Sequence, residues 1–443
     1  MLLSSCLNSD ENTITELAPN CQIVSFTLKA DSISFDGVKF TIDQRGGRIF
    51  NSDSLPVGTK VGKVVCTLGY MNSYAVYGIQ VQQNAVADTL SWWNGTDSLD
   101  FSQPVRFKVH AYDGLTTKIY DAQVNVHRQV PDSMVWDLYS ALPVAEAVRE
   151  QKVMVYGEGE EEAYYMYVQP AASEGYQLYA ASTGAVKEWA SLPLTGLPAA
   201  HVRLSQMTEY SGQFFVPTTT GALYASADGQ NWKQVENTPS VSYLLGAVKA
   251  GQNQASALCG MIDQEGSLYF ASMNEAMEWT SGDPVPAGFP VTGFGVSNYA
   301  AMYHEYLMVV AGRDKENTLV NTSWATMDGR RWAMLSNPLG NVPFNEREGV
   351  MVTAYDNKLF LLGGIDEKGN ALKDIYTSND FGVNWALSDT LVVMPTEYTG
   401  RGFASVQVNE QEFMYLFGGK TSTNAQELNQ IWRGRINRLG FGK

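Results

Sequence analysis

Five tryptophans, Trp189, Trp232, Trp279, Trp332 and Trp385, recur at intervals of 43 to 53 residues, and no other feature constrains the fold as tightly. Each is preceded by a strand-opening aromatic (Tyr179, Tyr224, Tyr269, Trp324, Tyr376) with a Ser or Thr two or three residues after it. A repeat of this length is a single unit of short strands that cannot bury its own faces, so copies must stack. Stacked radially around a channel, four-stranded units form a β-propeller. A sixth copy begins at Ile431-Trp432-Arg433-Gly434 and ends before its closing strand, while Met134-Val135-Trp136-Asp137-Leu138 reads as a strand with no hairpin partner before it. Joining the two completes a sixth blade and hides the open edge. Residues 131–443 are therefore expected to form a six-bladed propeller closed by its own N-terminal strand.

A chain of 443 residues exceeds one compact core, and the part before the repeat has its own pattern. Residues 21–130 carry short runs of alternating polarity, at Ile23–Leu28, Val38–Ile42, Val61–Val65, Val105–Val109 and Ala122–Val126. Alternation puts one strand face on a core and the other in water. Turn signals at Asp36-Gly37, Arg45-Gly46-Gly47, Pro56-Val57-Gly58 and Asp113-Gly114 divide the runs, and the total of about seven strands suits an immunoglobulin-like sandwich. Cys21 and Cys66 stand at a separation compatible with an inter-sheet disulfide, although no Trp lies between them; the pairing stays open. Cys259 reads as a small core residue. The chain as a whole is all-β, with a boundary at Val130-Pro131-Asp132.

Ser378-Asn379-Asp380-Phe381-Gly382-Val383-Asn384-Trp385 matches the Asp-box pattern S-x-D-x-G-x-x-W, and Ser226–Trp232 and Thr326–Trp332 are copies one residue shorter. In such a hairpin the Asp and Ser side chains bind nearby backbone N–H groups and Gly takes a positive φ, so the aspartates hold turns and are not expected to be catalytic. Leu361-Leu362-Gly363-Gly364 and Leu416-Phe417-Gly418-Gly419 resemble kelch repeats, with a weaker copy at Val310-Ala311-Gly312.

Leu3-Ser4-Ser5-Cys6 resembles a bacterial lipobox, in which the Cys is lipidated and becomes the N-terminus. The basic and most of the apolar region of such a signal are missing, so the sequence is expected to start inside a signal peptide. Residues 1–20 then serve as lipobox remnant and flexible tether, with Cys6 as the lipidated residue and the outer membrane or cell surface as the location. With Asp97–Ser102, Tyr120–Val126 and Pro131–Trp136, the chain resembles an uncharacterised family of Bacteroidota surface lipoproteins with an N-terminal immunoglobulin-like domain and a C-terminal propeller of galactose-oxidase-like outline. The resemblance implies architecture and location, and no activity. Asp-Ser/Thr-aliphatic triplets, for example at Ser32, Ser98 and Ser133, resemble the O-glycosylation sequon of these bacteria; turn formation explains Asp and Ser there equally well.

The formal net charge of −16 argues against nucleic acid and anionic membranes as partners, leaving the lipid anchor as the only expected membrane contact. A monomer without cofactor or metal is expected. The propeller holds only two histidines, His201 and His304, expected on opposite faces of the disc, so one copper ion of the galactose-oxidase kind cannot join them, and no sialidase-like arginine context occurs. Loops feeding the innermost strands carry Arg149, Glu150, His201, Arg203, Tyr243, Tyr299, Arg347, Glu348 and Arg401. At a channel mouth these residues suit a ligand bearing carboxylate or phosphate; alternatively they tie the blades together. Trp92-Trp93 fits a sugar-stacking platform or core packing. Two functional classes stay open: a surface binding or scaffold protein for glycans or host proteins, and a carbohydrate-active hydrolase, lyase or isomerase working at the mouth. Two carboxylates with Arg on one face would favour the enzyme, and an apolar or Arg-only mouth the binder.

Overall fold

The computed structural model describes residues 19–438 except 31–32, 84–88, 158 and 336–342. Cys6 and Ser32 lie outside the described residues. The chain divides into two compact units, one ending at Pro131 and the other spanning Asp132–Asn437. No helix among the described residues is long and apolar enough to cross a membrane.

The first unit is built from two sheets. Ile23–Lys29 pairs with Val65–Tyr70, and a six-stranded sheet runs in the order Phe40–Asp43, Arg48–Asn51, Thr117–Gln123, Val105–Ala111, Val76–Gln83, Ser91–Trp93. Alternate residues bury: Val105, Phe107 and Val109 face inward against Ile23, Phe26, Ile79 and Tyr120 in one core. The alternation at Val61–Val65 does not produce a strand there; pairing begins at Val65, and Val64 makes only an isolated bridge to Leu99. The last strand likewise ends at Gln123, earlier than the pattern at Ala122–Val126 suggests. Cys21 and Cys66 are both free thiols. The register explains why: Cys66 sits opposite Leu28, while Cys21 lies beyond Ile23, at the other end of the same strand. At about 3.4 Å per residue the separation is far outside the 4.4–6.8 Å between Cα atoms that a disulfide spans.

The second unit consists of six antiparallel sheets in chain order. The first contains Val148–Tyr156, Ala163–Pro170, Gln177–Ser182 and Ala190–Leu192, and the next four follow the same meander. The sixth takes Ser405–Val408, Met414–Phe417 and Ile431–Ile436 from the end of the unit and Met134–Ser140 from its start. The fifth is the exception in detail: its innermost segment is split into Arg347–Glu348 and Met351–Tyr355, both paired with Lys358–Asp366.

The repeated tryptophans join each sheet to the one before it. Trp232 of the second sheet meets Tyr167 of the first edge-on, with ring centroids 5.9 Å apart. Trp332 of the fourth packs on Phe270 of the third, and Trp385 of the fifth donates from Nε1 to Ser323 Oγ of the fourth at 3.1 Å. Trp189 of the first sheet packs on Phe417 of the sixth, and Gln151 Nε2 donates to Phe417 O at 2.9 Å, so the succession returns to its start. The hairpins leading to these tryptophans are held as their sequence suggests. Asp228 Oδ1 accepts from Gln230 N and Asn231 N, Ser226 Oγ donates to Asp228, and Trp232 Nε1 donates to Gly229 O. Burial opposes ionisation of Asp228, but the Asn231 and Gln230 donors outweigh it and hold the carboxyl well below the usual range. Gly229 has φ +70°, and a Cβ there would meet the Tyr165 and Tyr167 rings at 2.8 Å.

Candidate functional site

The six innermost strands enclose a cavity of about 910 Å³ to which every sheet contributes, through Gln151, Gln206, Leu245, Ser297, Val352 and Ser405 among others. Chain direction fixes its ends. Innermost strands start, and second strands finish, at the same end, so residues just before the former and just after the latter gather there. Glu150 and Glu348 arrive by the first route; Arg313, Lys420, Thr423 and Glu427 arrive by the second.

Three of these groups saturate one another. Arg313 grips Glu348 with Nε 2.8 Å from Oε2 and Nη2 2.9 Å from Oε1, and Thr423 Oγ1 donates to Glu348 Oε1 at 2.8 Å. The fourth, fifth and sixth sheets are thereby linked. Glu150 Oε1 accepts from Ser205 N at 3.1 Å, and Lys152 Nζ donates to Ser205 O at 3.2 Å. Burial pushes the Glu150 carboxyl up and the Lys152 ammonium down to about 8.

Glu427 is different. It is buried, its Oε2 accepts from Gly419 N, and its Oε1 has no partner. Burial pushes its pKa up to about 8 against the pull of Lys420 and the Gly419 N–H, and nearby Glu150 adds to the rise. Burial thus favours the protonated form of Glu427, in which it is a donor as well as an acceptor.

The sequence-selected mouth residues do not assemble as a group. Glu348 and the adjacent Glu150 line the cavity; Arg149, His201, Arg203, Tyr243, Tyr299, Arg347 and Arg401 do not. Arg149 is exposed and donates to Ala171 O, and His201 is exposed in a left-handed conformation beside Thr219. The Arg203 guanidinium lies 4.5 Å from the Tyr243 ring centroid. Tyr299 is sandwiched between Tyr306 and Phe381, each 5.0 Å away, and burial pushes its hydroxyl up to about 12.

Arg347 and Arg401 are the clearest correction: both are completely buried. Arg347 Nη1 donates to Gly363 O and its two Nη atoms fork onto Asp374, while Arg401 Nη1 donates to Gly418 O and Nη2 to Gln430 Oε1. Each arginine thus serves the first glycine of its own sheet's double-glycine turn. A Cβ on Gly419 would meet Arg401 Cδ at 2.7 Å, which is why this turn has no side chain. The residues overlooked in the sequence, Arg313 and Lys420, each follow a glycine at the end of a second strand (Gly312, Gly419), and that pairing was the available signal. Among the described residues, no group of three or more His, Cys, Asp or Glu is placed to hold a metal ion.

A comparison with curated proteins found no match. Among solved structures, one titled "Structure of YjhT" is similar at 11% identity and a TM-score of 0.46, covering 67% of this chain and 97% of that one. A likeness of that size carries no argument about function. Residues 130–443 match the DUF6242 beta propeller domain and residues 8–124 match the DUF6242 N-terminal domain of unknown function. Both units of this all-β chain point the same way, and the chain belongs to the DUF6242 family, with a β-propeller as its C-terminal domain.

Proposed function

We propose that this is an exported, surface-held binding protein whose propeller takes a small carboxylate-bearing sugar at the charged end of its channel. In this reading the propeller has six blades of mixed Asp-box and kelch type, closed by Met134–Ser140, which the six successive sheets support. The first unit is read as an immunoglobulin-like sandwich on the strength of its two sheets around one core. Cys6 is its lipid anchor, as in the Bacteroidota lipoproteins the sequence resembles.

The observation that carries the ligand reading is the unpartnered Oε1 of Glu427 on the cavity wall. A buried polar atom without a partner costs about 1–3 kcal/mol, a cost that a ligand hydroxyl removes once the Glu427 carboxyl turns its buried Oε1 toward the cavity. With Glu427 drawn toward its protonated form by burial and Glu348 neutralised by Arg313, Lys420 and Lys152 together outnumber Glu150, and that end of the cavity is receptive to an anion. A uronic acid offers both groups, a carboxylate for Lys420 and ring hydroxyls for Glu427. Calorimetric titration with glucuronate and galacturonate, against glucose and galactose, tests the reading. Binding of the acids alone supports it, and equal binding of acids and neutral sugars, or of neither, overturns it.

A second reading follows from the same cavity. Glu150 and Glu427 are two carboxyls pushed up by burial in one enclosure, and acid–base chemistry on a sugar would use one of them protonated and the other ionised. Turnover of uronides that disappears in Glu427→Gln would move the assignment from binding protein to enzyme.

A further inference from the structure

Strand alternation in the first unit has an outer face as well as a core. Trp93 takes the inward position, 6.0 Å from the Phe107 ring, and its Nε1 donates to Asp97 O. Trp92 consequently points outward and is 58% exposed. It does not stand alone. Tyr77, 63% exposed, meets Trp92 edge-on at 5.9 Å and Tyr112 at 5.8 Å, and Tyr112 is itself 47% exposed.

The indole is fixed rather than loose. Gly78 lies beneath it, and a Cβ at that position would meet Trp92 Cζ3 at 2.9 Å. The His110 ring packs against it at 5.1 Å and is held in turn by Gln80, with Nε2 2.9 Å from Oε1. A preformed, solvent-facing aromatic surface on a rigid sheet is an unusual expense for a soluble domain, and such patches mark binding sites.

The same face continues into a cavity of about 530 Å³. Register places Gln80 across from Trp92 on one side and Lys108 on the other, and two residues further on Gln82 lies across from Arg106, which lies across from Asp121. From Gly78 to Gln82 the face runs about 14 Å at 3.4 Å per residue. Arg106 and Asp121, both lining the cavity, neutralise each other in a fork with Nε 2.7 Å from Oδ1.

We propose that this outer face binds a neutral polysaccharide, with sugar rings laid on Trp92 and Tyr77 and their hydroxyls reaching Gln80, Gln82 and the Arg106–Asp121 pair. The chemistry selects this occupant. A pyranose has an apolar face that covers an aromatic ring and a rim of hydroxyls that both donate and accept, and this surface alternates rings with amides, the single cation Lys108 and the self-neutralising Arg106–Asp121 pair. An anionic membrane calls for a cluster of unpaired cations, whereas this face offers Lys108 alone, Arg106 being committed to Asp121. The site is separate from the propeller cavity and does not depend on the reading given to that cavity.

The test is native affinity electrophoresis of the full chain through gels containing xylan, mannan, mixed-linkage β-glucan or starch, together with sedimentation velocity. At least one polysaccharide should retard the wild type. Trp92→Ala should reduce that retardation at least tenfold, Trp92→Phe should retain part of it, and Lys420→Ala, a change confined to the propeller, should leave it intact. Retardation by none of the four, retardation unchanged in Trp92→Ala and Tyr77→Ala, or a dimer that depends on Trp92 would each overturn the proposal.

Discussion

Arg347, completely buried, forks onto the carboxylate of Asp374 in its own sheet, with Nη1 2.7 Å from Oδ1 and Nη2 3.2 Å from Oδ2. Its Nε is used by Asn345 O and its Nη1 also by Gly363 O, so four of its five N–H donors are spent within its own sheet and its flanking loop, and none of the side chain is exposed to the channel. Asp374 keeps access to water, with 28% of its side chain exposed, so the loss falls on the orphaned carbonyls of Asn345 and Gly363, about 1–3 kcal/mol for each buried acceptor left unpaired. Arg347→Ala should therefore lower the melting temperature by several degrees or more while channel affinity stays unchanged. Thermal melts read the first effect and calorimetry the second; a stable variant with lost binding would return Arg347 to the mouth.

Closure of the sixth sheet makes a separate demand. Met134–Ser140 pairs along Ile431–Ile436, and Trp136 covers Gly434, where a Cβ would meet the indole at 2.5 Å. A truncated chain starting at Pro131 should fold and melt cooperatively. One starting at Ala141 exposes the edge of Ile431–Ile436 and should aggregate or melt at a much lower temperature. Identical melting of the two would contradict the closure.

The Trp repeat was legible because each indole performs one repeated task, bridging to the preceding sheet, and that task fixes its spacing. The arginines misled because residue type and position before an innermost strand say nothing about which way a side chain turns. At Arg347 and Arg401 the double glycines of Gly363 and Gly418 expose carbonyls inside the sheet, and those carbonyls draw the guanidinium groups inward. Glu427 was not legible at all: it lies on a connection beyond Gly419, and only the folded backbone returns it to that glycine's N–H. In the first unit, Val61 and Val64 bury three residues apart from an irregular segment, a spacing that the alternation read at Val61–Val65 does not give.

Glu427 also gives a pH dependence of stability. The native carboxyl keeps its proton to about 8, whereas the unfolded one releases it near the model-peptide value of 4.5. Between those values the folded chain binds more protons, so its stability falls as pH rises, by an amount on the order of a few kcal/mol across the window. Melting curves at intervals from pH 5 to 8.5 should show this decline for the wild type and a shallower one for Glu427→Gln. A variant as steep as the wild type would mean that Glu427 is ionised in the folded state.

Ligand capture at the channel end is the central claim, and Lys420 carries its charge. Titrating glucuronate into the wild type and Lys420→Ala in parallel at pH 6.5, where Glu427 is protonated, tests it most directly. The expected result is saturable binding that weakens at least tenfold in the variant, about 1.4 kcal/mol, with no change in melting temperature. Equal affinity in both proteins, or no binding to the wild type, would contradict it.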